Sequence, residues 1–129
     1  MVLTPKTDSL RASLRGLRQQ GVAPEVAAPL AARQHAFVAE LSETITDEVP
    51  AYRQSGNPGA IPELDRHLGE IVACACRLLA GEAGASFNFV SEHARLRAAQ
   101  KFPLDAILHA YRGVHRLLLR WIRDAALEI

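Results

Sequence analysis

The sequence predicts an all-α protein, a single-domain bundle of about five helices. Three observations carry this. Ala (22) and Leu (17) dominate, whereas Val, Ile and Thr total 18 and aromatics are only 5%. That balance suits helices better than a sandwich or barrel. Between breaks rich in Gly and Pro, apolar residues recur at steps of three and four, the helical period. The length, 129 residues, suits one domain able to bury its own core. The expected organisation is one helical domain over 1–129, with a variable N-terminal helix in 1–29 and a core in 30–129.

The first helix carries Leu10, Leu14 and Leu17, with Asp8 as N-cap and the Gly21–Pro24 stretch as its stop. The second places Leu30, Phe37, Leu41, Ile45 and Val49 near one face, with Pro29 in its first turn. Ser55–Pro62 holds two Gly and two Pro and is the strongest loop signal. The third helix runs from about Pro62 to Ala80, with Ile61, Leu64, Leu68, Ile71, Ala75 and Leu78 in register. After a loop over Gly81–Ser86, the fourth runs from about Phe87 to Lys101. It turns Val90, Ala94 and Ala98 inward, with Ser86 or Ser91 as a cap. Phe102-Pro103 breaks the chain again. The last helix, Pro103 to about Glu128, shows a heptad-like seam of Leu104, Leu108, Tyr111, His115, Leu118, Ile122 and Ala125.

Several classes are disfavoured. Net charge is +1, so the whole-chain balance does not indicate a nucleic-acid binder or polybasic membrane protein. Two cysteines, Cys74 and Cys76, make no disulfide framework, and a reducing, cytoplasmic setting is the simpler expectation. The N-terminus lacks the apolar core of a signal peptide. No apolar run approaches the roughly 20 residues of a membrane span. A nucleophile elbow, a phosphate loop and a paired His-Glu metalloprotease motif are all missing, so no catalytic residues and no enzyme activity are expected.

Candidate chemistry is sparse. Glu63, His67, Glu70 and Cys74 step along one helix face, but a single helix offers a metal too few converging ligands, so a solvated face and no metal or cofactor are expected. Cys74 and Cys76 point to different sides of that helix and cannot chelate jointly. His115 sits in the apolar seam. It is read as a core or interface histidine, with haem or ligand contact as the alternative. His109 pairs with Asp105 at the surface, and His35 and His93 are surface or boundary residues. Arg112, Arg116, Arg120 and Arg123 form a stripe, the best argument for nucleic acid, yet a solvated face explains them too. Leu117, Leu119 and Trp121 fall outside the seam. Their patch predicts a homodimer built on the last helix, since soluble monomers avoid such patches.

Some stretches match a known pattern. Glu48-Val-Pro-Ala-Tyr-Arg53 ends a helix as an E-[IV]-P-x-Y segment, and Arg97-Ala-Ala-Gln100 is followed by Phe102–Gly113. Together they resemble the signature R-A-x-Q-G-x-x-L-x-x-[LV]-L-x-A-Y-R-x-G of the RsbRD-type N-terminal helical domain, named for RsbT co-antagonist proteins. The resemblance spans about Leu30 to Ala126. Leu108, Ala110, Tyr111 and Arg112 are its most specific part. Lys101-Phe102 stands where a glycine is usual, and Gly113 follows Arg112 directly. The resemblance implies a non-catalytic signal-input and dimerisation domain, arranged like a non-haem globin and set before a DNA-binding region in PucR/CdaR-like bacterial transcription regulators, or else a stand-alone relative of that domain. It implies that the DNA-binding domain lies elsewhere, that an unknown small molecule is a candidate ligand, and that the four motif residues hold the fold or an interface. The alternatives are a globin-like haem or ligand sensor and, more weakly, a nucleic-acid binder.

Overall fold

Residues 23–82, 84 and 86–128 are described by the computed structural model of the chain, and the regular structure among them is entirely helical. The expected helix around Leu10, Leu14 and Leu17, with its Asp8 cap, lies outside the described residues. Six helices follow: α1 Ala23–Ala32, α2 Gln34–Glu48, α3 Pro50–Gln54, α4 Ala60–Leu79, α5 Phe89–Ala99 and α6 Leu104–Leu127.

The expected face Leu30, Phe37, Leu41, Ile45, Val49 is buried throughout, but two helices share it. α1 begins before Pro29, burying Val26 and Ala27, so the boundary expected at residue 29 falls inside a helix. Pro29 removes one helical hydrogen bond there. The step between α1 and α2 is only Arg33, whose amide bonds Leu30 O at 3.1 Å and whose carbonyl accepts from Phe37 N at 3.0 Å. Val49 is drawn out of the helical region (φ −121°, ψ 88°) because Pro50 follows it. Pro50 then opens the single turn of α3, which buries Tyr52. The loop expected over Ser55–Pro62 is shorter, because Ala60, Ile61 and Pro62 form the first turn of α4, and its own side chains shape the Ser55–Gly59 stretch. Ser55 Oγ accepts from Asn57 N at 3.1 Å, and Asn57 Oδ1 accepts from Gly59 N at 2.9 Å.

α4 and α5 stop by the same device. At the end of α4, Gly81 takes φ 91°, its amide bonds Leu78 O, and Glu82 N bonds Arg77 O. At the end of α5, Lys101 takes φ 61°, its amide bonds Ala98 O, and Phe102 N bonds Arg97 O. Both are Schellman closures, which need a left-handed residue just past the cap. The turn therefore forms at the position where the signature carries glycine, with a lysine in the strained role. Neither Ser86 nor Ser91 caps α5. Asn88 occupies that position without a side-chain bond, and Ser91 lies within the helix.

α4 and α6 each lie against both α1 and α2, α3 braces α2 and α4, and α5 packs on α6. Phe37, Leu41, Leu68, Val72, Leu79 and Leu118 sit at the centre, essentially without solvent contact. The seam of α6 differs from the expected one in its first half. Ile107 and Ala110 face inward, Ile107 against Ala94 of α5. Leu104 stands half in solvent, and Leu108, Tyr111 and His115 flank the buried strip. A strict 3.5-residue repeat drifts around a straight α-helix, and α6 meets different neighbours along its length.

Candidate functional site

Among the described residues, only His67 and Arg97 are polar or charged side chains that are fully buried. Both lie at the end of the molecule where α3, α4, α5 and the first half of α6 meet. Arg97, on the last turn of α5, is 1% exposed. Its guanidinium donates to Ala60 O at 3.0 Å and Gln100 Oε1 at 3.1 Å, and pairs with Glu63 Oε2 at 3.3 Å. The Tyr52 and Phe102 rings cover it, with centroids 5.8 and 5.6 Å from Cζ. Tyr52 and Phe102 also pack on each other at 4.7 Å. A buried guanidinium is tolerable only with such partners.

One turn further along α4, His67 Nε2 and the Tyr111 hydroxyl share a hydrogen bond of 2.8 Å. On its other side the His67 ring stacks on His93 of α5, with centroids 3.7 Å apart and planes 5° from parallel. Phe89 closes the third side edge-on at 5.7 Å. Burial, then His93, Arg97 and Arg66, push the His67 imidazole down to about 3. Burial, then Arg97 and Arg66, push His93 down to about 4. Burial holds the Tyr111 hydroxyl well above the usual phenol range and raises that of Tyr52. Both rings are thus neutral at pH 7, and the pair opens onto a groove of about 190 Å³ between α4 and α5. Arg66, Glu63 and Glu70 line it from α4, and Glu92 and Leu96 from α5.

The expected solvated face of α4 is therefore corrected. Of Glu63, His67, Glu70 and Cys74, only Glu70 is exposed. His67 is held by Tyr111 and His93, and the Cys74 thiol is buried, donating to Ser86 O at 3.0 Å. Cys76 is also buried, which pushes its thiol up. No group of three His, Cys, Asp or Glu among the described residues is arranged to hold a metal. His93 is half-buried, at the boundary as expected, and His35 and His109 are exposed, with His109 3.9 Å from Glu48.

The arginine stripe faces the acidic side of α2 rather than open solvent alone. Arg116 donates to Glu48 at 2.8 Å, and Arg120 pairs with Glu40. Arg112 and Arg123 are exposed. Trp121 stacks on Phe37 at 4.8 Å and donates to Glu40 Oε2 at 2.6 Å, while Leu117 is buried in the core. The patch inferred from Leu117, Leu119 and Trp121 is thus largely covered by the chain itself, because α6 touches both α1 and α2. Leu119 remains half-buried.

The signature residues divide. Ala110 is core, Leu108 packs beside Ile107, Tyr111 holds His67, and Arg112 faces solvent. His115 sits half-buried on the same helix. Arg97 and the His67–His93 pair escaped the sequence reading. The segments Arg97–Gln100 and Glu48–Arg53 were its available signal, since Arg97, Gln100 and Tyr52 meet in one cluster.

Residues 35–129 match the family model described as the RsbT co-antagonist protein rsbRD N-terminal domain. No curated protein and no solved structure matches the chain.

Proposed function

The chain belongs to the family of RsbT co-antagonist protein rsbRD N-terminal domains, and from that premise we propose that it is a non-catalytic signal-input module of a bacterial transcription regulator of the PucR/CdaR-like kind, acting in the cytoplasm. The observation that carries the reading is the use made of the signature residues. Tyr52, Arg97 and Tyr111 tie helices together inside the protein, and the one hydroxyl–imidazole contact among them, Tyr111 with His67, links α6 to α4. No helix among the described residues is long and apolar enough to cross a membrane. The gene sequence downstream of Ile129 tests the regulator context. A helix-turn-helix region there supports it, and an unrelated domain or a stop codon there overturns it.

The proposal includes self-association through the outer side of α6. Trp121→Glu would break the stack on Phe37 and so confuse assembly with folding. Leu119→Glu is the cleaner variant. A dimer seen by light scattering and lost in Leu119→Glu supports this interface. A monomer persisting at about 100 μM, well above the affinity of a stable dimer, removes it.

A further inference from the structure

We propose that the stacked His67–His93 pair is a proton-sensitive clasp that holds α5 on α4 and releases it in acid while the remaining bundle stays folded. The geometry supplies the device. The two rings lie face to face at 3.7 Å, and they belong to different helices. A proton on either ring places a cation face to face with its stacked partner and in the field of the Arg97 guanidinium. Arg66 adds a second positive charge from α4. Glu63 and Glu70 on α4 and Glu92 on α5 line the groove and oppose this repulsion. Glu63 is already engaged with Arg97. From α6 the facing group is Tyr111, which stays protonated and neutral throughout this range.

The response is local because of where the polar groups lie. The other half of the bundle has an apolar core around Phe37, Leu41, Leu118 and Ile122. α5 is also lightly attached through apolar contacts for its length, with Phe89 only half-buried. It buries Val90 and Ala94, and otherwise depends on Arg97 and the imidazole stack. The sign follows from linkage. The imidazoles are held below their ordinary 6.5 when α5 is closed, and return toward it when α5 opens to water. Closure is therefore fully favoured above about pH 6.5 and weakens as pH falls toward 4, by up to about tenfold per pH unit for each ring that takes a proton on opening. Release would bare Phe89, Val90 and the His67 side of α4, a new apolar surface at the end of the bundle. The clasp does not depend on the regulator context proposed above.

Amide hydrogen exchange of the full chain from pH 7.5 to 4.5, corrected for the intrinsic pH dependence of exchange, tests the clasp. Protection of residues 89–99 should fall steeply below about pH 6.5, while that of α1 and α2 holds. In the double variant His67→Gln, His93→Phe, which keeps a hydrogen-bonding group and a stacking ring, protection of α5 should become nearly flat with pH. Flat protection in the native protein, loss of α5 and α2 together, or an unchanged slope in the double variant would each overturn the proposal. Should the double variant fail to fold, NMR titration of the native imidazoles decides. Values well below 6.5 for His67 and His93 uphold the clasp, and ordinary values refute it.

Discussion

The two halves of α6 are built on opposite principles. From Leu117 onward its inner side is aliphatic, Leu117, Leu118, Ile122 and Ala125, packed with the core residues of α1 and α2. Charges appear only at the rim, where Arg116 and Arg120 reach Glu48 and Glu40. In its first half the helix meets a polar interior instead, with Tyr111 on His67, His67 on His93, and Arg97 between two aromatic rings. An apolar contact is non-directional and insensitive to pH. A buried polar contact is directional and fails if one partner is lost or changes charge. One half is therefore a generic platform, and the other is the part of the fold that a signal could move.

Substitutions sharpen this contrast. The largest effect is expected for Arg97→Ala, which strips Glu63 of its charged partner, removes the link to Ala60 O and leaves a void beneath Tyr52 and Phe102. Urea denaturation should show a loss of about 4 kcal/mol, in the range for breaking a buried charged pair. Leu118→Ala strikes the apolar half, where the side chain is fully buried. It should cost about 3 kcal/mol by the same measurement, with no change in the pH dependence of stability. Native stability itself should decline as pH falls from about 6.5 toward 4, because the depressed imidazoles of His67 and His93 favour the folded state only while neutral. Much of that decline should vanish in the His67→Gln, His93→Phe variant.

Smaller effects are expected at the helix stop and the rim. Gly81 and Lys101 close the two helices with the same hydrogen bonds, yet only Lys101 bears a Cβ in the left-handed region. Lys101→Gly should raise stability by about 1 kcal/mol, detectable as a higher thermal midpoint. Gly81→Ala should lower it similarly. The smallest effect is expected at the exposed Arg116–Glu48 pair. Arg116→Ala should cost less than about 0.5 kcal/mol and nothing measurable at high salt.

Much of the architecture was readable from residue order because its causes are local. Steps of three and four marked the α2 face from Phe37 to Ile45 and the α4 face from Leu64 to Ala75, and Pro50 and Asn57-Pro58-Gly59 marked their breaks. The signature segments likewise pointed to a family that the match over residues 35–129 bears out. The site was less readable. Arg97 and His67 occupy positions that polarity alone assigns to the surface. Their burial depends on partners 37 and 44 residues away in the chain, Ala60 and Tyr111. The fate of Leu117 and Trp121 was likewise decided by which helices flank α6, since a broad apolar face has the same pattern whether its cover comes from Phe37 or from a second molecule. Local spacing sets which residues share a face, because the helical turn is a property of the backbone. Which face meets which, and hence which polar groups lose water together, is set only when the helices pack.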